Sequence, residues 1–204
     1  MLTLNDTLKC EPFEKVVTKF DSIPYENRFG QYRLSNGWFI KKKFFGGYDG
    51  FKATDICWIY PNKTTHKTNF VTTGVSWETV MRLGPNREIH LFYDYESTSN
   101  DKEAVISPNS DYTIKTFNRI VPWAMFGYSA YLMECWNKHK ELFLSVVDAG
   151  LSAIQKAIKD KKIIIKDDDS VVIKTPVTLP TINMRFNRNA KGKIERIYEV
   201  NPPL

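Results

Sequence analysis

The segment YRLSNGWFIKKKFFGGYDGFKATDICWIYP, Tyr32–Pro61, carries the strongest structural signals in this sequence. Asn36–Gly37 stands between two apolar runs, and Asn-Gly is a strong signal for a two-residue hairpin turn because both residues accept a positive φ. A second turn is predicted at Gly46–Gly50, and the strand after it is expected to end at Pro61, whose nitrogen cannot donate a hydrogen bond. The stretch therefore predicts short antiparallel strands.

Three further strands are predicted beyond Pro61, because short runs rich in β-formers continue between turn signals. They correspond to the segments TNFVTTG, SWETVMRL and REIHLFY. Gly84–Pro85–Asn86 is the predicted turn before the last of them, since glycine and proline favour turns. About six closely spaced strands in succession are typical of an antiparallel sheet or barrel.

Helical periodicity flanks these strands on both sides. The apolar spacing predicts one short amphipathic helix over residues 5–20, with Pro12 confined to its first turn. The same spacing predicts a helix from Asn109 to Ile120, which Pro122 ends.

The last third of the chain predicts a long helix and two hairpins. The helix is expected from about Ser129 to Ala149, with an interruption at Gly150. Residues 161–204 then carry apolar runs on either side of DDDS and of RNAKG, which predicts two β-hairpins.

Composition favours an ordinary globular protein of the cytoplasm. The 204 residues are 42% hydrophobic, 14% aromatic and 25% charged, which is enough to bury a sizeable core. No apolar stretch is long enough to span a bilayer, and the N-terminus lacks the apolar core of a signal peptide. Three widely spaced cysteines predict reduced thiols. The net charge of +6 permits binding to nucleic acid or anionic membrane without requiring either.

Two segments resemble a known family. Tyr32–Pro61, with its WFI strand and its Asp-Ile-x-Trp-Ile-Tyr pattern, is similar to the opening strands of bacterial proteins that have a pleckstrin-homology-like (PH-like) domain. The segment VPWAMFGYSAYLMECW, Val121–Trp136, resembles a signature that follows the barrel in one uncharacterised bacterial family of this type. The resemblance covers Phe29–Phe143 and implies an α+β fold with an antiparallel PH-like β-barrel closed by helices.

On this resemblance the chain divides into three predicted parts. They are an N-terminal helix over residues 1–24, the barrel with its helical closure over residues 25–160, and a C-terminal β-hairpin extension over residues 161–204. The superfold implies a scaffold that binds lipids, peptides or proteins. The family has no established activity, so the resemblance assigns no catalytic residue.

Cys57 and His66 lie nine residues apart in TDICWIYPNKTTH and raise the question of a nucleophile with its base. Strand alternation makes both faces of Ile56–Tyr60 apolar, which predicts a central strand. A cysteine in such a strand behaves as a small hydrophobe, whereas a nucleophilic thiol needs an electropositive, partly exposed setting. Cys57 is therefore predicted to be structural.

Other chemical motifs are weak. Cys135 and His139 have the spacing of two metal ligands on one helix face, but no CxxC motif accompanies them. The glycines of FFGGYDG join two strands and match no phosphate-binding motif. Asp167–Asp169 is interpreted as a solvated hairpin tip. The sequence predicts no metal and no cofactor.

Five basic residues are the candidate ligand-binding residues: Arg33, Lys41, Lys43, Arg185 and Arg188. Lys41 and Lys43 are expected to share one strand face near Arg33, where they would meet an anionic head group or simply protect a strand edge. The C-terminal arginines are interleaved with Phe186 and Tyr198. Such a pattern suits single-stranded nucleic acid, although aromatic residues on a hairpin more often pack against their own protein.

These observations predict a non-catalytic binding module, not an enzyme, whose partner is expected to be a protein. The alternative is an electrostatic binder of anionic lipid head groups or nucleic acid through the basic residues. The two differ in their response to salt, because binding to phosphates weakens steeply as the salt concentration rises.

Overall fold

The structure is a computed structural model that describes residues 2–97, 108–166, 168 and 170–202. The chain forms two compact units, residues 1–127 and residues 128–204, here called the N-terminal unit and the C-terminal unit. Each unit combines helices with antiparallel strands. The predicted α+β class is therefore confirmed.

The N-terminal unit begins with two short helices, α1 (Asn5–Leu8) and α2 (Phe13–Val17), instead of the single helix predicted over residues 5–20. Pro12 separates them, because it has no N–H to continue the helix and its backbone is extended there, at φ −56° and ψ 136°. Single 3₁₀ turns follow at Phe20–Ser22 and Tyr25–Asn27.

The first sheet is antiparallel and has the order β1-β2-β3-β4. Its strands are β1 (Arg28–Phe29), β2 (Tyr32–Ser35), β3 (Trp38–Lys42) and β4 (Tyr48–Lys52). Asn36 and Gly37 have φ of 44° and 81°, so the predicted hairpin turn between β2 and β3 is confirmed. Since β4 already begins at Tyr48, the next turn lies earlier than Gly46–Gly50, over residues 43–47.

The second sheet follows a 3₁₀ turn at Ala53–Asp55 and has the order β7-β6-β5-β8. Its long strands pair antiparallel, and the short β8 pairs parallel to β5. The strands are β5 (Ile56–Thr68), β6 (Val71–Leu83), β7 (Arg87–Ser97) and β8 (Met125–Phe126). The predicted turn at Gly84–Asn86 is confirmed. The segments TNFVTTG and SWETVMRL are not two separate strands, because β6 runs without a break from Val71 to Leu83 and Asn69 and Phe70 form the turn before it.

The prediction that β5 ends at Pro61 is wrong. Pro61 pairs with Thr79 of β6, and β5 continues for seven further residues to Thr68. The pairing of β5 with β8 ends at Ile59, so among the described residues Pro61 has a neighbouring strand, β6, on one side only. A proline is tolerated at such a position because its missing N–H removes no hydrogen bond from a second neighbour.

Helix α3 (Pro108–Ile120) confirms the helix predicted at Asn109–Ile120 and packs on the first sheet. The Phe117 ring stacks on Phe39, with centroids 5.5 Å apart, and meets Phe29 edge to face at 4.8 Å. All three side chains are buried. Such aromatic pairs stabilise a core beyond the area that they bury, so Phe117 fastens the helix to the sheet.

The C-terminal unit contains α4 (Ala130–Lys138) and α5 (Lys140–Lys159). The interruption of this helical region was predicted at Gly150, but it falls at His139, whose backbone is non-helical at φ −135° and ψ 47°. Gly150 is buried within α5, where a residue without a side chain can pack closely.

Two separate antiparallel hairpins follow in the C-terminal unit, as predicted. They are formed by β9 (Ile163–Ile165) with β10 (Val171–Ile173), and by β11 (Thr181–Arg188) with β12 (Ile194–Asn201). Of the predicted acidic tip, Asp167 and Asp169 lie outside the described residues. Asp168 is described, and its carboxylate accepts hydrogen bonds from the backbone and the hydroxyl of Ser170.

In the described part of the chain the strands form four separate sheets, and no closed barrel is found. Among the same residues, none of the helices combines the length and the apolar character that crossing a membrane would need.

Candidate interaction surfaces

The turn between β3 and β4 carries two adjacent phenylalanines that nothing in the described structure covers. The side chains of Phe44 and Phe45 are 95% and 96% exposed, and their rings lie 5.0 Å apart in an edge-to-face arrangement. The Lys43 amide donates to the Gly47 carbonyl at 3.0 Å and the Gly46 amide to the Lys43 carbonyl at 3.2 Å. We call Phe44 and Phe45 the aromatic tip.

Lys41, Lys42 and Lys43 directly precede the aromatic tip. The Lys42 ammonium lies 3.0 Å from an Asp21 carboxylate oxygen, and that of Lys41 lies 5.2 Å from the centre of the Tyr32 ring. Lys43 is exposed. The sequence predicts that Lys41 and Lys43 share one strand face. This prediction is wrong, because β3 ends at Lys42 and Lys43 lies in the turn.

Arg33 does not lie beside Lys41 and Lys43 as predicted. Its cross-strand partner is Ile40, so Arg33 projects from the face of the sheet opposite to Lys41. Its guanidinium donates to the Phe20 carbonyl at 2.7 Å and stacks over the Phe20 ring, 4.1 Å from the centroid. Arg33 therefore fastens the N-terminal segment to the first sheet, and of the predicted group only the lysines accompany the tip.

The β11–β12 hairpin has one apolar face whose two halves differ in burial. Near the base of the hairpin, Ile182 is buried and Met184, Tyr198 and Val200 are partly buried. Further out on the same face, Phe186 and Ile194 are each 63% exposed. We call Phe186, Arg188, Ile194 and Arg196, which share this outer half by register, the distal face.

Arg185 and Arg188, which were predicted together, lie on opposite faces of this hairpin. Arg188 opposes Ile194 on the distal face, whereas Arg185 opposes Ile197 on the other face. Arg185 also forms an ion pair with Glu199, with a nitrogen–oxygen distance of 2.8 Å. The structure therefore does not bring these two arginines into one patch.

Glu134 of α4 connects the hairpin to the helices of the C-terminal unit. Its carboxylate binds the Lys138 ammonium at 2.9 Å and the Arg196 guanidinium. Hydrogen bonds from Lys138 and Arg196 lower the pKa of Glu134 to about 2. Burial raises the pKa of the nearby Tyr198 hydroxyl, and Glu134 beside it acts in the same direction. The hairpin is thus attached in part through an ionised carboxylate.

Cys57 does not form a pair with His66. Cys57 is buried near the start of β5, where its thiol donates to the Arg82 carbonyl at 3.1 Å. His66 lies near the other end of that strand, about 30 Å away at ~3.3 Å per residue, and its ring contacts the Ser76 hydroxyl at 2.8 Å. The interpretation of Cys57 as part of a central strand is therefore supported by its position.

Cys135 is also buried, and burial raises the pKa of its thiol to about 11, so the reactive thiolate is disfavoured at neutral pH. The His139 ring packs near Tyr198, with centroids 5.3 Å apart. Among the described residues no group of three or more histidine, cysteine or acidic side chains could hold a metal ion.

A polar cluster on β6 and β7 escaped the sequence analysis. The two ring nitrogens of His90 each lie 3.1 Å from a carboxylate, one from Glu78 and the other from Glu88. Arg82 in turn binds Glu88 at 2.6 Å and the Tyr60 hydroxyl at 3.1 Å. Each carboxylate of the cluster has a hydrogen-bonding partner, and the histidine is half exposed on a sheet surface rather than set in a cleft. The arrangement is that of a structural network.

A shallow cleft of about 250 Å³ lies within the C-terminal unit, between the end of α5 and residues 176–178. Lys156, Asp160 and Lys162 line it together with small apolar side chains. This volume is below the usual range for a small-molecule site, about 300–1,000 Å³.

Comparison with known proteins gives no relative: no protein-family model, no curated protein and no solved structure matches this chain. The exposed apolar surfaces of the structure are therefore the basis on which function can be argued.

Proposed function

We propose that this protein is a non-catalytic binding module that uses the distal face of the β11–β12 hairpin to bind a protein partner. Phe186 and Ile194 are each 63% exposed, although the inner half of the same face is packed, and the proposal depends on this exposure. Phe186 and Ile194 continue the apolar face beyond its packed base, next to Arg188 and Arg196, and are available to a partner.

The energetics of the hairpin favour such a partner. An isolated two-stranded hairpin is marginally stable in water, and here only the base of the hairpin has apolar cover. Covering a large apolar side chain stabilises a complex by about 1.5–3 kcal/mol. Phe186 and Ile194 together therefore provide a centre for an interface, and aromatic residues are typical of such centres.

The charges around the distal face indicate the chemistry of the partner. Arg188 lies on the distal face and Lys191 and Lys193 lie in the turn that joins its two strands, whereas Arg196 is bound to Glu134. A partner segment that combines apolar with acidic side chains would complement this surface. In the described residues β11 and β12 pair only with each other, so an extended segment could also add to an edge of the hairpin.

We further propose that the N-terminal unit is a PH-like scaffold. Support comes from the order of its elements, in which seven strands that pair antiparallel, β1 to β7, precede α3. The stacking of Phe117 on Phe39 places this helix against the first sheet. A run of antiparallel strands followed by a closing helix is the organisation that the resemblance implies.

The test is affinity capture from a lysate of the native host, comparing the wild-type protein with Ile194→Ser and Ile173→Ser. Ile173 lies in the other hairpin of the same unit and is 64% exposed, so it is a matched control. We expect one protein to be retained by the wild type and by Ile173→Ser, and lost with Ile194→Ser. A photo-crosslinking residue in place of Phe186 should attach to that same protein.

Nuclease treatment and salt distinguish the other classes of partner. A packed protein interface should survive both, since apolar burial responds little to ionic strength, whereas phosphate contacts weaken steeply. Equal recovery with Ile194→Ser and Ile173→Ser would contradict the proposal. Recovery of nucleic acid alone, removed by nuclease or by high salt, would contradict it as well.

A further inference from the structure

We propose that the aromatic tip, Phe44 and Phe45, inserts into the interfacial region of an anionic lipid bilayer. This inference concerns the N-terminal unit and does not depend on the β11–β12 hairpin. It combines three observations: the exposure of both rings, the position of three lysines beside them, and the internal hydrogen bonding of the turn.

The exposure of the tip contrasts with the other aromatic residues of the first sheet. Phe39 and Phe51 stack on each other in the core, with ring centroids 5.1 Å apart. Phe44 and Phe45 instead stand at the end of a hairpin, and no atom lies within 4 Å of the Cβ position at Gly46 or Gly47. The tip is convex, and its turn is not packed against other residues that the structure describes.

A convex tip of two rings suits a bilayer better than a folded partner. A protein interface gains most of its strength from a central side chain surrounded by a rim that excludes water. The aromatic tip has lysines and glycines around it rather than an apolar rim. A lipid interface adapts to the shape of whatever enters it, and aromatic rings together with lysine are typical of surfaces that bind there.

The charges near the tip favour an anionic surface. Lys41, Lys42 and Lys43 precede the rings, and the neighbouring charged side chains are Asp21, Asp49, Arg33 and Arg87. Asp21 binds Lys42, and Asp49 binds Arg87 at 3.1 Å, which leaves an excess of positive charge. Lysines close to a membrane surface are attracted by anionic lipids.

Two backbone amides of the turn already form hydrogen bonds within it, which lowers the cost of moving the turn into a less polar medium. The Lys43 and Gly46 amides already have acceptors within the turn, at 3.0 Å and 3.2 Å. Burial of a backbone polar group without a partner is costly, so these internal hydrogen bonds reduce the free energy needed to insert the tip.

Binding to vesicles tests the proposal. The full-length protein is sedimented with vesicles of phosphatidylcholine alone and with vesicles that also contain phosphatidylglycerol. We expect binding to the anionic vesicles, and about 100-fold weaker binding for the double variant Phe44→Ser/Phe45→Ser, because two large apolar side chains are lost. Lys41→Gln/Lys43→Gln should weaken binding to anionic vesicles about 10-fold.

Phe70→Ser is the matched control. Phe70 is fully exposed at the turn between β5 and β6 of the same unit, but threonine and asparagine, rather than three lysines, precede it. We expect less than about 3-fold weaker binding for this variant, since it removes a single ring from a turn that no lysine directly precedes. Because none of these side chains is buried in the core, circular dichroism should show the same folded content in every variant.

Three results would overturn the proposal: no sedimentation with anionic vesicles, equal binding by the wild type and Phe44→Ser/Phe45→Ser, or an equal loss with Phe70→Ser. None of these results bears on protein capture through Ile194. Conversely, failure of the capture experiment would leave the vesicle result unchanged, so the two proposals fail separately.

Discussion

The β2–β3 and β11–β12 hairpins are fastened to their surroundings in different ways. At the β2–β3 turn the backbone makes the contacts: the Gly37 amide donates to the Asp6 carbonyl at 2.7 Å, and the Gly37 carbonyl accepts from the Ala53 amide at 2.8 Å. At the β11–β12 hairpin side-chain charges contribute, through Arg196 on Glu134. The first hairpin is enclosed by its own unit, and the second projects from its unit with an exposed turn.

The two kinds of attachment give the two hairpins different sensitivities to pH and salt. Backbone amides and carbonyls do not titrate in the physiological range, so the β2–β3 turn should be insensitive to acid and to salt. A carboxylate with a lowered pKa makes the attachment of β11–β12 sensitive to pH. The enclosed β2–β3 hairpin contributes to the core of its unit. The β11–β12 hairpin is attached partly by charges and has exposed apolar side chains on its outer half, as the proposed binding of a partner requires.

The largest effect is expected for Gly37→Ala. An added Cβ would lie 2.8 Å from the Lys9 carbonyl oxygen and 3.0 Å from the Cys10 Cα, at a φ of +81°. We expect unfolding of the N-terminal unit in urea, followed by tryptophan fluorescence, to become easier by about 3 kcal/mol, from steric overlap together with an unfavourable backbone.

Gly84→Ala separates these two causes. Gly84 also has a positive φ, +52°, but no atom lies within 4 Å of its Cβ position. This variant should cost only the conformational part, about 1 kcal/mol. If the two alanine variants were equally unstable, the enclosure of the β2–β3 turn would have no energetic consequence, and the contrast with β11–β12 would be lost.

A smaller effect is expected where the N-terminal segment is fastened to α3. The buried Thr7 hydroxyl lies within hydrogen-bonding distance of the Leu4 and Ile120 carbonyls. Thr7→Val keeps the shape but removes the donor, so we expect a loss of about 1–2 kcal/mol in the same urea measurement. The matched variant is Thr18→Val, whose exposed hydroxyl donates only to Lys15 nearby in sequence, with an expected change within about 0.5 kcal/mol. Equal losses would show that α3 does not secure this segment.

The smallest effect on global stability, and the clearest effect on pH dependence, is expected for Glu134→Gln. The pKa of Glu134 falls from 4.5 to about 2 in the folded state, so its contribution to stability is complete above the unfolded value. That contribution is lost as the pH falls from 4.5 through about 2. In this window the free energy of unfolding should decrease less steeply for Glu134→Gln than for the wild type.

Glu141→Gln is the control for the loss of a carboxylate, since Glu141 lies exposed at the start of α5. Comparing the two variants between pH 4.5 and about 2 separates the contacts of Glu134 from the loss of a negative charge as such. If Glu134→Gln followed the wild-type profile, the attachment of β11–β12 through this carboxylate would be energetically insignificant.

The sequence predicted turns correctly where they contain glycine. It missed a turn where other residues adopt the same positive φ. Asn36–Gly37 was found from its composition. Asn69 and Phe70 have φ of 50° and 66° and form the corresponding turn between β5 and β6, although a phenylalanine rarely adopts a positive φ. Without a glycine, this turn gave no signal, and the lengths of β5 and β6 were missed with it.

Proline and glycine were also misjudged where tertiary context decides. Pro61 is a strand breaker by pattern, but it lies where β5 has a neighbour on one side only. Gly150 has a poor helix propensity, but burial within α5 compensates for it. In both cases the packing around the residue, which a single sequence does not record, overrides its local preference.

The candidate surfaces could be predicted only in part. The lysines and arginines were found from charge, yet the sequence could not tell that Arg33 stacks on Phe20 or that Arg185 and Arg188 face apart. From sequence, Phe44 and Phe45 are predicted to end a strand. Two consecutive phenylalanines give the same sequence pattern whether their side chains are buried or exposed. Both side chains are exposed because β3 ends at Lys42, before Phe44 and Phe45.

The enclosure of Gly37 has a consequence for evolution. Where backbone atoms of Lys9 and Cys10 occupy the space that any side chain would need, substitution is closed to all other residues unless the N-terminal segment moves as well. Gly46 and Gly47 meet no such obstacle, and asparagine or aspartate could replace them with modest strain. Among descendants of a common ancestor we therefore expect position 37 to remain glycine, in step with residues 9 and 10, while positions 46 and 47 drift.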